Sequence, residues 1–309
     1  MPQSLPKVIV VAGPTASGKS ALALAIAEEF NAVVVNADSQ QCYRDLPILT
    51  ARPTPQEEAR APHRLFGTLG PTEKDSGPAW GRRAAQAIAA NADRTTVLVG
   101  GSGLYLQSLM VGLPAMPEIA PAFRAAAKAL LQEIGHDAFH ARLTQRDPVI
   151  AARLKVGDTQ RILRAWEVVE ATGRPLSAWQ ADPPRPAVAA HFLPFLILPP
   201  RAAVIAAGNG RFDRMIAAGA LAELQTLLAT GIPLSAPVMR ALGAKPLAAH
   251  LAGEIGLPAA VELGKIATRQ YAKRQSTWFR HQFPAALTLS EQFSERLLPE
   301  IFAKIWKWG

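Results

Sequence analysis

The chain has 309 residues, 49% of them hydrophobic, which is enough for one large α/β domain or for one domain carrying an insertion. Its formal charge is +9, from 33 Lys and Arg against 24 Asp and Glu, a balance that suits an anionic partner such as nucleic acid or a phosphorylated small molecule. The single cysteine, Cys42, excludes a disulfide framework or a cysteine-based zinc site within the chain, and no apolar run approaches the length of a membrane span. The opening MPQSLPK lacks the long apolar core of a signal peptide, so a reducing cytoplasm is the expected setting.

In chain order, KVIVVA at residues 7–12 is a continuous apolar run, as in a parallel strand covered on both faces. A Gly-rich turn follows, then a helix over about 20–30. AVVVNAD reads as a second strand, AWGRRAAQAIAANA as a helix, and TTVLVGGSG as a third strand. Strands alternating with helices imply a parallel sheet. LPAMPEIAP after residue 113 is a Pro-rich joint, and residues 122–181 read as helices with no strand between them. ADPPRPAVAA is a second joint, and HFLPFLILPP is a late strand apolar enough to return to the first sheet. The remainder is helical, ending in a long helix around AAVELGKIATRQYAKRQSTWFRHQF. The expected fold class is α/β, a P-loop NTPase-like parallel sheet core with an inserted all-helical domain. The expected segments are 1–118 (core, first part), 119–190 (helical insertion) and 191–309 (core, second part).

GPTASGKS comprises Gly13, Pro14, Thr15, Ala16, Ser17, Gly18, Lys19 and Ser20, and fits the phosphate-loop pattern G-x-x-x-x-G-K-[ST] at every fixed position. The glycines let backbone N–H groups converge on phosphate oxygens, and the helix N-terminus adds its positive dipole end. Lys19 neutralises a terminal phosphate and the Ser20 hydroxyl is a ligand for Mg²⁺, with water. The motif specifies a phosphate without saying which. Asp38, in NADSQQCYRDL after the second strand, falls where open α/β sheets gather functional groups, near the loop if the first two strands are neighbours. It can serve Mg²⁺ through water, act as a base, or cap the next helix. The third strand ends in Gly100, Gly101, Ser102 and Gly103, with no acidic residue of the kind that holds Mg²⁺ in NTP-hydrolysing enzymes.

GPTASGKS, ADSQQCYR, ILTARP, PHRLFG, VGGSGLYLQSL, DTQRILRAWEVVEATGRPLS and ATRQYAKRQSTWFR occur in this order. Together they resemble the tRNA dimethylallyltransferases (tRNA isopentenyltransferases) of bacterial type, over about residues 8–283. The resemblance implies transfer of a dimethylallyl group from dimethylallyl diphosphate to the exocyclic N6 of the adenosine 3′ to the anticodon, in tRNAs reading codons that begin with U. It makes the loop a holder of the leaving diphosphate, and it places Asp38 as the base that takes a proton from the amine. Lys19, the loop N–H groups and Mg²⁺ then stabilise the departing charge. Ser102 stands where the family commonly has threonine, and retains a hydroxyl for the reacting region.

The resemblance also implies an anticodon stem-loop partner with a flipped adenine. Asp38, Ser39, Gln40 and Gln41 match the segment that reads that base. Gln160, Arg161, Ile162, Leu163 and Arg164 match a tRNA-contacting segment in the insertion. Helical spacing puts Gln160, Arg161 and Arg164 on one face and turns Ile162 and Leu163 elsewhere. Arg124 matches a further tRNA contact. Arg211, in GRFDRM, is the candidate second cation on the diphosphate, or else a surface helix residue. Arg269 and Lys273, spaced i, i+4, with Arg280 beyond them, suit phosphate-backbone contacts. Trp278 and Phe279 have the spacing of core residues.

Departures from the family pattern are Leu49 for a common glycine, Arg64 for a second histidine, Ala207 and Gly208 for a frequent Arg-Ile pair, and GAKP for a GYRQ-type run. They touch neither the loop nor Asp38. No zinc-finger extension is present, and a monomer is expected. Two other readings fit the same core: a small-molecule or nucleoside kinase, with the acid after the second strand activating a hydroxyl, and a non-catalytic RNA-binding NTPase switch.

Overall fold

The computed structural model describes residues 5–308; the first four residues, which open the MPQSLPK stretch and the 1–118 segment, and Gly309 lie outside the described residues. Six parallel strands form one sheet: β1 (Lys7–Ala12), β2 (Val33–Asn36), β3 (His63–Arg64), β4 (Thr96–Gly100), β5 (His191–Ile197) and β6 (Leu287–Leu289). Their order is β3-β2-β4-β1-β5-β6. The unbroken apolar run of β1 has a direct cause. Val8, Val10 and Ala12 enter one hydrophobic core, whereas Ile9 and Val11 enter a second on the opposite face. A strand covered on both faces has no polar side to alternate with.

Helices α1 (Lys19–Glu29), α2 (Pro55–Arg60), α3 (Gly77–Ala89) and α4 (Gly103–Met110) connect or follow the first four strands. β5 pairs with β1 in register from Lys7↔His191 to Ala12↔Leu196, so the late strand does return to the first sheet. β1 and β2 are not neighbours, because β4 lies between them. The adjacency from which Asp38 was to approach the loop therefore fails, and β4 supplies the link instead.

The chain divides into two compact units, residues 111–186 and the remainder. The first is entirely helical: α5 (Pro121–Arg146), kinked at Gly135, α6 (Pro148–Ala151), α7 (Thr159–Thr172) and α8 (Leu176–Gln180). Its own core includes Phe139, Leu143, Ile162, Leu163 and Val168. Buried Asp147 ties it together, accepting from Ile150 N at 3.1 Å, Ser177 N at 2.9 Å and Ser177 Oγ at 2.6 Å. The fold is thus an α/β sheet core interrupted by an all-helical insertion.

After β5 the core unit continues with α9 (Arg201–Ala217), α10 (Ala220–Ala229), α11 (Ala244–Leu251), α12 (Leu257–Gln282) and α13 (Leu298–Trp308). α9 and α12 run beside the carboxyl ends of the central strands and supply side chains to the site. No helix among the described residues is long and apolar enough to cross a membrane.

Candidate active site

The loop between β1 and α1 is held from several sides. Its turn requires Ala16 at φ 62 and Gly18 at φ 94. The left-handed conformation at Ala16 costs roughly 1–2 kcal/mol, so other contacts must impose it. Gln275, buried on α12, accepts from Thr15 N at 2.8 Å and donates to Gly101 O at 2.8 Å. One amide therefore joins the turns that follow β1 and β4. Arg211, from α9, donates to Thr15 Oγ1. Lys19 donates its ammonium to Pro14 O at 2.7 Å, and Ser20 is exposed.

The ends of β2 and β4 are joined next to it. Asn36 is fully buried: its Oδ1 accepts from Asp38 N at 2.8 Å, and its Nδ2 donates to Asp38 O at 3.0 Å and Leu65 O at 3.1 Å. Trp80 donates Nε1 to Asn36 O at 2.9 Å and stacks on Tyr105 at 4.7 Å. Asp38 Oδ1 accepts from Gln40 N at 2.9 Å, closing a turn on its own segment. Ser102 Oγ accepts from Ser39 N at 2.9 Å and meets Ser39 Oγ at 3.1 Å. Gly100 is required here, because a Cβ would run into the Ala37 carbonyl.

These pieces open into one cleft of the core unit, about 640 Å³ including the space at its mouth. Thr15, Lys19, Ser20, Arg211 and Asp38 give it a polar part; Leu49, Phe212, Met215 and Leu242 give it an apolar part. Burial lowers the Lys19 pKa to about 8, against a raising pull from Asp38 and a further lowering push from Arg211. Burial likewise lowers Arg211. Tyr271, on α12, also lines the cleft; burial, then the Asp38 charge, push its phenol well above the usual tyrosine range, so it stays a neutral donor at pH 7. Two cations, one carboxylate and a phenol thus share a partly enclosed space beside an apolar wall. That arrangement can bind an anion, take up a proton and hold an apolar group nearby.

The wall carrying Leu49 is itself fixed. Glu223 accepts from Ile48 N at 2.7 Å and Leu49 N at 3.0 Å, and Gln41 Nε2 donates to Thr50 O at 3.0 Å and Ala51 O at 2.7 Å. Gln41 therefore spends both amide hydrogens on backbone, while Gln40 Oε1 accepts from Leu242 N at 3.2 Å. Gly208 faces the cleft from α9, with room for a Cβ at 3.5 Å from Thr268.

In the helical unit, Gln160 and Arg161 are exposed, and Arg161 pairs with Asp158 at 3.1 Å. Arg124 and Arg164 converge on Glu167, itself 3% exposed, at 2.8 and 3.5 Å. Ile162 and Leu163 are 1% and 4% exposed and belong to the unit's core; their side chains pack and do not face a nucleic acid. On α12 of the core unit, Arg269 is engaged by Glu262 at 2.7 Å and Asn209 at 3.2 Å, while Lys273 is exposed. Phe279 is core, and Trp278 packs against it. Asn36, Tyr271 and Gln275 escaped the sequence reading. Gln275 lies 260 positions from Thr15, and no spacing rule links them.

A family model described as IPP transferase matches residues 41–282, and one described as Zeta toxin matches residues 1–52. The tRNA dimethylallyltransferase of Paramagnetospirillum magneticum is 51% identical, over 96% of this chain and 95% of its own length. That of Rhodospirillum rubrum is also 51% identical, over 97% and 94%. Among solved structures, the tRNA delta(2)-isopentenylpyrophosphate transferase of Staphylococcus epidermidis superposes with a TM-score of 0.69 at 30% identity, covering 98% of this chain and all of that one. A eukaryotic dimethylallyltransferase acting on tRNA gives a TM-score of 0.80 at 25% identity, over 97% of this chain and 78% of its own. With near-complete coverage at such identity, and a loop, carboxylate and apolar wall around one cleft, the chain belongs to the tRNA dimethylallyltransferase family.

Proposed function

We propose that the enzyme transfers the dimethylallyl group of dimethylallyl diphosphate to N6 of the adenosine 3′ to the anticodon, in tRNAs reading U-starting codons, and releases diphosphate. The observation that carries this reading is the cleft in which the loop cations and Asp38 stand beside an apolar wall. The loop, Lys19 and Arg211 take the diphosphate; Leu49, Phe212 and Met215 suit a five-carbon chain. The bond between C1 and the diphosphate oxygen breaks as the N6–C1 bond forms. The amine proton passes to the Asp38 carboxylate, and the bond electrons leave with the diphosphate, whose charge Lys19 and Arg211 offset. Ser102 and Tyr271 flank Asp38 as neutral hydroxyl groups that orient the entering base.

The exposed Ser20 hydroxyl and the Asp38 carboxylate in one cleft are hard oxygen donors, and no cluster of three His, Cys, Asp or Glu exists among the described residues. Such a donor set fits Mg²⁺ bound largely by water and substrate phosphate. Ser20 would hold the ion, which supplies charge neutralisation on the diphosphate when bound.

The helical insertion, expected over 119–190, takes the anticodon stem-loop through Gln160, Arg161, Arg164 and Arg124. Ser39, Gln40 and Gln41 shape the base pocket, two of them through the backbone they hold. Arg269 and Lys273 add backbone phosphate contacts from α12. The enzyme acts as a monomer in the cytoplasm. The kinase reading of the same core is set aside by the family assignment.

The test is incubation of unmodified tRNA with dimethylallyl diphosphate and Mg²⁺, followed by nucleoside mass spectrometry. A dimethylallyl mass increment on adenosine is expected. Its absence with a folded enzyme would sink the reading.

A further inference from the structure

The phosphate loop is also held from the far end of the chain, by contacts that take part in none of the steps above. Gln292 donates Nε2 to Ala16 O at 2.7 Å, and Phe293 donates its backbone N–H to Ser17 O at 3.4 Å. Both residues follow β6 and lie beyond residue 282, where the IPP transferase match ends. They meet the loop at its tightest bend. Ala16 has φ 62 although it carries a side chain, and Gly18 has φ 94. A Cβ at Gly18 would stand 2.7 Å from Phe293 Cβ, so Phe293 closes the space behind the glycine. Gln292 Oε1 is buried without a hydrogen-bond partner. The Nε2 end of its amide is the one that faces the loop, held by the bond to Ala16.

We propose that Gln292 and Phe293 are positioning residues, a C-terminal brace that keeps the Ala16–Gly18 bend in the shape that aims the loop N–H groups at the donor's diphosphate. Neither residue is among those that line the cleft. This rests on the reading that the loop holds that diphosphate.

Gln292→Met keeps length and apolar packing but removes the donor; Phe293→Gly removes the Cβ that closes the space behind Gly18. The full chain is titrated calorimetrically with inorganic pyrophosphate and assayed with dimethylallyl diphosphate and tRNA. For Gln292→Met, the pyrophosphate Kd and the KM for dimethylallyl diphosphate are expected to rise about tenfold, the worth of one hydrogen bond. The KM for tRNA stays at its wild-type value, and Phe293→Gly shifts the same two constants in the same direction. Wild-type constants in both variants overturn the brace. So does a loss of thermal stability that raises the KM for tRNA as much as that for the donor, which marks a merely structural role. A wild-type enzyme that binds no pyrophosphate overturns the loop reading itself and the brace with it.

Discussion

Lys19 donates its ammonium to the carbonyl of Pro14, a residue of its own loop, at 2.7 Å. The cation is parked on backbone, and an entering phosphate must draw it away. Burial has already lowered its pKa to about 8. A bound diphosphate, carrying several negative charges, raises it again, so binding is coupled to the proton. Below about pH 8 the ammonium is present before binding and donor affinity is flat. Above that pH the neutral amine must first gain a proton, and KM for dimethylallyl diphosphate is expected to climb toward tenfold per pH unit. The donor's own last proton leaves near pH 6, outside this window. A KM profile from pH 7 to 9.5 checks the shape.

The same residue links function to stability with a definite sign. Between about 8 and 10.5 the unfolded chain holds the Lys19 proton and the folded chain does not. Lys19 therefore makes stability rise with pH across that window, and its burial is most costly below it. Lys19→Met is expected to lower transfer by about 10²–10³-fold, as for loss of one transition-state charge contact. The urea midpoint at pH 7 should stay equal or rise. A lower midpoint would show that the Pro14 contact contributes more to folding than the buried charge costs.

Asp38→Asn retains an oxygen for Gln40 N, the bond at 2.9 Å that shapes the turn. The loss is then chemical. Single-turnover transfer should fall by about 10²–10⁴-fold, the range for a removed general base. Binding of tRNA should stay within a few-fold, measured by filter retention. A large loss of tRNA affinity would assign Asp38 to reading the base.

Arg161 and Ile162 are sequence neighbours on α7 with opposite surroundings, one exposed and one 1% exposed in the insertion core. Arg161→Ala should leave stability unchanged within about 0.5 kcal/mol. It should reduce the slope of log affinity against log salt by about one. Ile162→Ala should instead destabilise by about 2–5 kcal/mol, through the cavity it leaves. Salt-dependent tRNA binding and chemical denaturation separate the two effects.

Local and non-local information divide what the sequence reveals. The loop is eight consecutive residues, so its chemistry is readable in one glance. The helical insertion is readable because two proline-rich stretches bracket a segment without strands. Asp38 follows the end of β2, as the rule about carboxyl ends expects, and the condition that β1 and β2 be neighbours is not met because β4 lies between them; the rule holds whichever strand lies alongside. His63–Arg64 is too short a strand for alternation to show. Gln275 reaches Thr15 across 260 positions, and Gln292 reaches Ala16 across 276. Ile162 and Leu163 carry the motif's apolar pair into a core, where helical periodicity alone would put them. Contacts of this kind exist only once the sheet has assembled.

The pairing of β1 with β5 and the hold of Gln292 on Ala16 have a consequence for synthesis. The loop leaves the ribosome well before Gln292, so this contact waits on the 276 positions that separate the two residues. While the nascent chain stops short of β5, the first strand has a free edge where its partner belongs. The helical insertion, whose core draws only on its own residues, has by then emerged whole and can fold alone. An aborted chain ending between the insertion and β5 would thus carry a folded helical module beside an unfinished phosphate site. Such a truncated product would retain the insertion's charged surface without a completed centre for chemistry.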